Sequence, residues 1–194
     1  MNSQKGEKKR TEISIIGSGI AGITTAFHLG KKGYKVNLID PTVNSEINNL
    51  NPKNGTQASL GVLMGNIYKR STGRAFVLRN KSMKLWKEWL TQIQYSESNL
   101  IFTKPLIKLA SSEKEYKSMI ELSHNKKKYG IELLDKTSLD FWDSIFETTL
   151  IGGLISHEDG RLNPIKLITS LMQSLDQIKI NKIDKNVSLS LIHI

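Results

Sequence analysis

The chain has 194 residues, a formal net charge of +10 and no cysteine. This length allows one domain or one and a half, and the 38% hydrophobic and 24% charged content is that of a globular protein. The lack of cysteine excludes disulfides, thiolate catalysis and cysteine-bound metal, and it predicts a cytoplasmic setting. No stretch is long and apolar enough to predict a membrane span.

The basic excess predicts a solvated surface and no nucleic-acid partner. Lysines are scattered through every segment, and the dense run Lys126, Lys127 and Lys128 has Tyr129 as its one neighbouring aromatic residue. Sites for single-stranded nucleic acid interleave basic residues with aromatic rings on which bases stack. We therefore expect these three lysines to lie on the solvated surface.

The first elements predict a strand, a tight turn, a helix and a second strand. Residues 13–16 form a β-branched run, and apolar residues then recur at helical spacing over residues 20–30. A second apolar run at residues 34–39 ends at Asp40. This βαβ unit implies parallel strands, so the predicted fold class is α/β.

Gly17, Gly19 and Gly22 form a G-x-G-x-x-G pattern between the first strand and the helix. The first glycine permits the turn, the second lets the backbone approach a pyrophosphate, and the third lets the helix pack closely on the strand. Asp40 stands where an acid binds the ribose hydroxyls of a dinucleotide that lacks a 2′-phosphate. The cofactor-binding residues predicted from this pattern are Gly17, Ser18, Gly19, Ile20, Ala21, Gly22 and Asp40. By itself the pattern fits NAD as well as FAD.

The segment after the second strand favours FAD. A plain NAD domain continues with alternating helices and strands. Residues 42–73 instead form a long connection without a helical stripe of normal length, and they contain a patch of small and apolar residues at 56–63. Backbone of this kind can lie close to a flat ligand.

Alternating helices and strands are predicted over the rest of the chain. The long helix over residues 74–93 is amphipathic, and its apolar side includes Leu85 and Leu90. The other predicted elements are an extended segment or strand pair over 101–110, a helix over 112–129 capped by Ser112 and ended by Gly130, a short helix over 138–145, a strand over 150–156, a turn at 158–160, a helix capped by Asn163 and begun by Pro164, and a strand around 178–187.

Three parts of the chain together resemble the FAD-dependent amino-acid oxidase superfamily, nearest to the glycine oxidases. They are the fingerprint from Gly17 to Asp40, the stretch 56–64, and the run 152–164 with its D-G-x-x-x-P turn. The resemblance implies a Rossmann-like FAD-binding domain with part of an α+β substrate domain. It also implies flavin contacts at Thr56, Ala58, Ser59, Gly61, Val62 and Leu63, and an adenine-side contact at Val187. The family often has Glu where this chain has Asp40.

The resemblance also implies a division of the chain. The expected parts are a disordered N-terminal segment at 1–11, an FAD-binding portion at 12–95, a partial substrate domain at 96–156 and a return to the FAD domain at 157–188. Because family members run to nearly twice this length, we expect the chain to be truncated at its C-terminal end. Residues 189–194 resemble a translated sequencing adapter and are expected to be a non-native tail.

The implied activity is oxidation of a small-molecule amine or amino acid, of the glycine or D-amino-acid type, by hydride transfer from the α-carbon to flavin N5. No catalytic residue and no metal site is assigned, because the four histidines stand singly and Asp159 and Gly160 are expected to shape a turn. Two alternatives are an NAD-dependent dehydrogenase that uses the same fingerprint and a nonfunctional fragment that retains a dinucleotide-binding unit. The substrate, the electron acceptor and the oligomeric state are left open.

Overall fold

The structure, a computed structural model, describes residues 11–45, 55–93, 100–139, 145–146 and 148–188. The chain divides into two compact units, the first comprising Met1–Ser59, Ile93–Leu100 and Pro164–Ile194 and the second comprising Leu60–Gln92 and Ile101–Asn163. Except for residue 11, the expected disordered start and non-native tail lie outside the described residues.

Strands and helices alternate along much of the described chain. The strands are β1 (Glu12–Ile16), β2 (Lys35–Ile39), β3 (Val62–Leu63), β4 (Leu106–Ala110), β5 (Ile131–Leu134), β6 (Gly152–Ser156), β7 (Gly160–Arg161) and β8 (Asn181–Ile183). The helices are α1 (Ile20–Lys31), α2 (Gly73–Gln92), α3 (Glu113–Lys126) and α4 (Pro164–Gln177). None of these helices is long and apolar enough to cross a membrane.

The first unit is built on a parallel sheet with the strand order β1-β2-β8. Ile13 lies opposite Val36, and α1 connects these two strands, so the predicted βαβ unit is confirmed. Helices α1 and α4 pack against each other. Gly30 lets α1 approach the chain before β8, because a Cβ there would lie 2.6 Å from Cδ1 of Ile180. The core of this unit includes Ile23, Ala26, Phe27, Val36, Leu38, Leu167, Ile168, Leu171 and Leu175.

The second unit contains an antiparallel sheet with the strand order β4-β6-β5, and α3 packs on it. Ser112 caps α3 by accepting a hydrogen bond from the backbone N–H of Glu115, as predicted. Strands β3 and β7 form a separate antiparallel ladder in which Val62 lies opposite Arg161. The hydrophobic core between α3 and the larger sheet consists of Ala110, Met119, Leu122, Ile131 and Leu154, with Tyr116 packed against it.

Lys126 is buried, so its predicted place on the solvated surface was wrong. The side chain is 0% exposed, and its ammonium group donates hydrogen bonds to the backbone carbonyls of Asn66 and Tyr68. Lys126 is the last residue of α3, and the side chain of Lys127 beside it is exposed. Neighbouring helical positions point in directions about 100° apart, so consecutive lysines need not share an environment.

Helix α2 exposes part of its predicted apolar side. Leu90 is 9% exposed, whereas Leu85 is 38% exposed. Leu85 and Leu90 are five positions apart, roughly 140° around the helix axis, so they cannot face the same neighbour. The structure groups α2 with the second unit, whereas the expected FAD-binding portion at 12–95 includes this helix. The functional division of the chain stays a prediction.

Two shorter elements also differ from the expectations. Strand β5 was not predicted, and the expected short helix over 138–145 begins as a 3₁₀ turn at Thr137–Leu139. Residues 140–144 lie outside the described part, so most of that expected helix is not described.

Candidate cofactor-binding site

A glycine turn brings the end of β1 to the start of α1. Gly17 has φ +102°, a left-handed conformation that favours glycine, and in the described part of the chain no heavy atom lies within 4 Å of the place where a Cβ would be. A Cβ at Gly22 would lie 1.8 Å from the carbonyl oxygen of Gly17 and 3.5 Å from Cγ2 of Ile15. The closest contact of α1 at Gly22 is therefore with the glycine turn, and its contact with strand β1 is looser.

The amide groups at the start of α1 form the positive end of this site. The N–H groups of a first helical turn have no acceptor within the helix. Here the N–H of Ile20 donates to Oγ1 of Thr56 at 3.0 Å, whereas those of Ala21 and Gly22 make no hydrogen bond within the described part of the chain. Free amides at a helix N-terminus suit a pyrophosphate, because they add hydrogen bonds to the favourable helix dipole.

Asp40 is tied directly to the glycine turn. Its Oδ2 accepts the N–H of Ser18 at 2.8 Å, and its Oδ1 accepts the N–H and the hydroxyl of Thr42 at 2.7 and 2.6 Å. Burial alone would raise the pKa of Asp40, but the hydrogen bonds from Thr42 and Ser18 outweigh that effect and lower it. A carboxylate has about four acceptor positions, so this charged group can still accept a ribose hydroxyl.

The other predicted contacts fall in both units. In the first unit, Ser59 donates its hydroxyl to the carbonyl of Thr56 at 2.8 Å, and exposed Val187 follows β8. In the second unit, the carbonyl of Gly61 accepts the N–H of Leu162 at 2.9 Å. Among the described residues, hydrogen bonds join Ser18 to Asp40 and Ile20 to Thr56, but they do not join Ala58 or Val187 to this group. Gly61, Val62 and Leu63 belong to the second unit, where the last two form β3.

The residues of the first unit fit a dinucleotide on three counts. The turn has open space at Gly17, α1 has free amides at its start, and Asp40 is charged with acceptor capacity to spare. Thr42 was not predicted, although an Asp followed two residues later by Thr is a pattern in which the acid bonds its own neighbouring backbone. No cluster of three metal-binding side chains is found in the described ranges.

A family model described as "DAO: FAD dependent oxidoreductase" matches residues 12–183. No curated protein sequence matches the chain. Among solved structures, glycine oxidase from Geobacillus kaustophilus superposes with a TM-score of 0.70 at 18% identity, over 89% of this chain and 46% of that one. Iminodiacetate oxidase from Chelativorans sp. BNC1 gives 0.69 at 17% identity, over 93% and 48%.

A third solved structure contains the cofactor. L-α-glycerophosphate oxidase from Mycoplasma pneumoniae, with FAD bound, gives a TM-score of 0.66 at 16% identity over 88% of this chain and 44% of that one. The chain thus spans about half the length of the structures it matches. These structures share the α/β fold, and the cofactor is FAD, as predicted. Because the family model covers most of the sequence, the chain belongs to the family of FAD-dependent oxidoreductases.

Proposed function

We propose that the protein oxidises an amino acid or a secondary amine, of the glycine or D-amino-acid type. The observation that carries the flavin part of the proposal is the match to the family of FAD-dependent oxidoreductases. The N-terminus of α1 and Asp40 agree with it, because together they form a suitable site for a dinucleotide. The amine part is supported by the resemblance of the sequence to glycine oxidases and by the names of two structural neighbours, glycine oxidase and iminodiacetate oxidase. Glycerophosphate oxidase, which shares the fold, is not named for an amine, so the fold alone does not select this substrate class.

The residues of this chain bind and orient the cofactor in the proposed reaction. The amides of Ala21 and Gly22 bind the pyrophosphate, and Asp40 accepts hydrogen bonds from the ribose. Gly61, Val62 and Leu63 would contact the flavin and Val187 would contact the adenine side, as the resemblance of the sequence implies. When bound, FAD would accept a hydride from the substrate α-carbon, and loss of a proton from the amine nitrogen would leave an imine that water hydrolyses.

The nicotinamide alternative loses its support because the family match specifies FAD. The cytoplasmic setting and the absence of a nucleic-acid partner rest on the sequence and stay predictions. Because the chain spans about half the length of the structures it matches, FAD binding is proposed for the whole protein, and the first experiment measures it in the 194-residue chain as well.

The first test is the visible absorption spectrum of the desalted protein, before and after incubation with FAD. We expect the bands of oxidised flavin in the full-length protein. A folded, colourless protein that FAD cannot reconstitute would overturn the flavin assignment. Anaerobic addition of glycine, sarcosine, D-alanine or L-proline should then bleach the bands. If none of these compounds bleaches the bands and glycerol phosphate does, the proposed amine substrate is wrong.

Asp40→Asn tests the proposed ribose contact. The amide cannot accept from both Ser18 and Thr42 as the carboxylate does, so we expect FAD affinity to fall about tenfold, as for the loss of a hydrogen bond to a charged group. Fluorescence titration of the apoprotein measures this change. Asp176→Asn is the matched control, because Asp176 belongs to the same unit and its side chain, which pairs with Lys182, is 57% exposed. Equal losses in the two variants would contradict a direct role for Asp40.

A further inference from the structure

Two buried charged side chains hold residues 65–68 in the second unit. The carboxylate of Asp159 accepts the backbone N–H groups of Gly65 at 2.8 Å, Asn66 at 3.0 Å and Ile67 at 2.9 Å. The ammonium group of Lys126 donates to the carbonyl of Asn66 at 2.9 Å and to that of Tyr68. We call this arrangement the charge clamp, because the carboxylate accepts from the N–H groups and the ammonium group donates to the carbonyls of one backbone segment.

Burying the two charges of the charge clamp costs free energy that an apolar pair of side chains would not cost. Lys126 and Asp159 are both 0% exposed, and removing an ion from water costs several kcal/mol in a protein interior. Burial lowers the pKa of Lys126, the Arg79 guanidinium lowers it further, and Asp159 acts in the opposite direction. An apolar side chain such as Met has similar volume and none of this cost. The charges therefore serve the backbone groups that they bind.

The charge clamp lies directly beside the ladder of β3 and β7. Residues 65–68 follow β3 after one residue, and Asp159 immediately precedes β7. In the ladder, Leu63 lies opposite Gly160, and Nε of Arg161 donates to the carbonyl of Leu60 at 2.8 Å. Gly65 packs closely against α2, because a Cβ there would lie 2.5 Å from Cγ of Met83. The charge clamp thus anchors the chain two residues after the end of β3.

We propose that Lys126 and Asp159 are positioning residues that hold residues 61–63 in place for the flavin. The proposal rests on the proposed function, since a flavin must be bound for these residues to touch it. Because a two-residue strand contributes few hydrogen bonds of its own, its backbone position depends on what anchors its ends. Loosening the clamp should therefore alter the surroundings of the flavin, while the sheet of β4, β5 and β6 keeps its own core.

The test compares Lys126→Met, Asp159→Asn and the double variant of the full-length protein with the wild type. Lys127→Met is the matched control, because Lys127 is the next residue and is exposed. Hydrogen exchange in the apoprotein reports on the amides of residues 60–68. The visible spectrum, the reduction potential and the FAD affinity report on the flavin in the holoprotein. We expect exchange at least about tenfold faster and FAD affinity about tenfold weaker in the clamp variants, with a shifted flavin spectrum and no change in Lys127→Met.

Each outcome bears on the proposal. Unchanged exchange of residues 60–68 in the clamp variants would show that the charges do not hold the segment. Faster exchange with an unchanged flavin spectrum, reduction potential and FAD affinity would contradict the proposal, because the charge clamp would then stabilise the segment without affecting the flavin. A wild-type protein that binds no FAD would overturn the proposed function and the flavin part of this inference together. If Lys126→Met does not fold, Lys126→Gln and Asp159→Asn, which keep polar groups in place, carry the same comparison.

Discussion

A carboxylate that accepts backbone N–H groups holds its charge more firmly than one in water. Asp40 is in this position, since Ser18 and Thr42 together lower its pKa against the opposing effect of burial. The same hydrogen bonds join β2 to the glycine turn, so the charge of Asp40 supports the folded site before any ligand binds. Ionisation of Asp40 should therefore be visible in the stability of the protein.

The contribution of Asp40 to the stability of the folded state should decrease as the pH falls. A folded pKa below the ordinary value of 3.8 stabilises the folded state above that value, and the contribution is lost as pH falls through the folded pKa. We expect wild type to exceed Asp40→Asn by on the order of 1 kcal/mol in unfolding free energy near neutral pH. Urea unfolding at several pH values should show this difference in unfolding free energy shrinking as the pH falls below 3.8, the ordinary pKa of an Asp side chain. A difference that grows on acidification would contradict the assignment.

The sequence could identify Asp40 but not the roles of Lys126 and Asp159. Asp40 occurs at a fixed spacing from a glycine pattern, so local sequence specifies its place. Asp159 binds residues more than 90 positions away, and Lys126 reaches a carbonyl 60 positions away. No local pattern distinguishes a lysine that meets distant backbone from one that meets water, and Lys126 was therefore assigned to the surface with its two neighbours.

At the scale of single elements, α1 depends on how closely its first turn meets the turn before it. The carbonyl of Gly17 occupies the space that a side chain at Gly22 would need. The same contact sets the direction in which the free amides of α1 point, so packing and ligand binding share one requirement. A single methyl group added at residue 22 should therefore affect both the packing of α1 and the binding of a ligand.

We expect Gly22→Ala to destabilise the protein by on the order of 3 kcal/mol, because the turn or the helix must shift to admit the methyl group. FAD affinity should fall with it. Thermal unfolding and fluorescence titration measure the two effects. Gly55→Ala is the control, since no heavy atom of the described residues lies within 4 Å of a Cβ at Gly55. A Gly22→Ala protein with wild-type stability would show that the turn is looser than the structure indicates.

Elements with strong local signals were predictable from sequence, and elements without them were less so. The apolar runs of β1 and β2 and the N-cap Ser112 of α3 are local signals, and the structure contains all of them. Gly130, expected to end this helix, instead caps the 3₁₀ turn Lys127–Tyr129 that follows it. Strand β5 is four residues long with two exposed side chains in its middle, a pattern that does not stand out from a loop. Leu85 was included in the apolar side of α2 although it is exposed, because apolar content alone does not say which side of a helix meets a neighbour.

For the whole molecule, family resemblance supplied what periodicity could not. The α/β class follows from the βαβ unit, and the flavin assignment agrees with the family match. The pairing of β8 with β2 and of β3 with β7 joins segments far apart in the chain. Such pairings depend on tertiary packing that a single sequence does not display, so their partners were not predictable from the strands themselves.

The ladder of β3 and β7 also has a bearing on the order in which the protein folds. Completing the first sheet brings Asn181 beside Asn37, positions 144 residues apart. Once Val62 pairs with Arg161, the open chain between β2 and β8 shrinks from roughly 140 to roughly 40 residues, which lowers the entropy cost of closing it by about 1 kcal/mol. We therefore expect the short ladder to form before the parallel sheet is complete.

Pulse-labelled hydrogen exchange during refolding can observe this order. Gly160→Ala should disturb the ladder, because a Cβ at Gly160 would lie 2.3 Å from the carbonyl oxygen of Thr103. Protection of the Leu38 and Lys182 amides should then appear about fivefold more slowly, the kinetic equivalent of the lost loop closure. Unchanged rates in Gly160→Ala would mean that the parallel sheet closes without help from the ladder. Slower rates would mean that a four-residue pairing governs when a distant sheet can form.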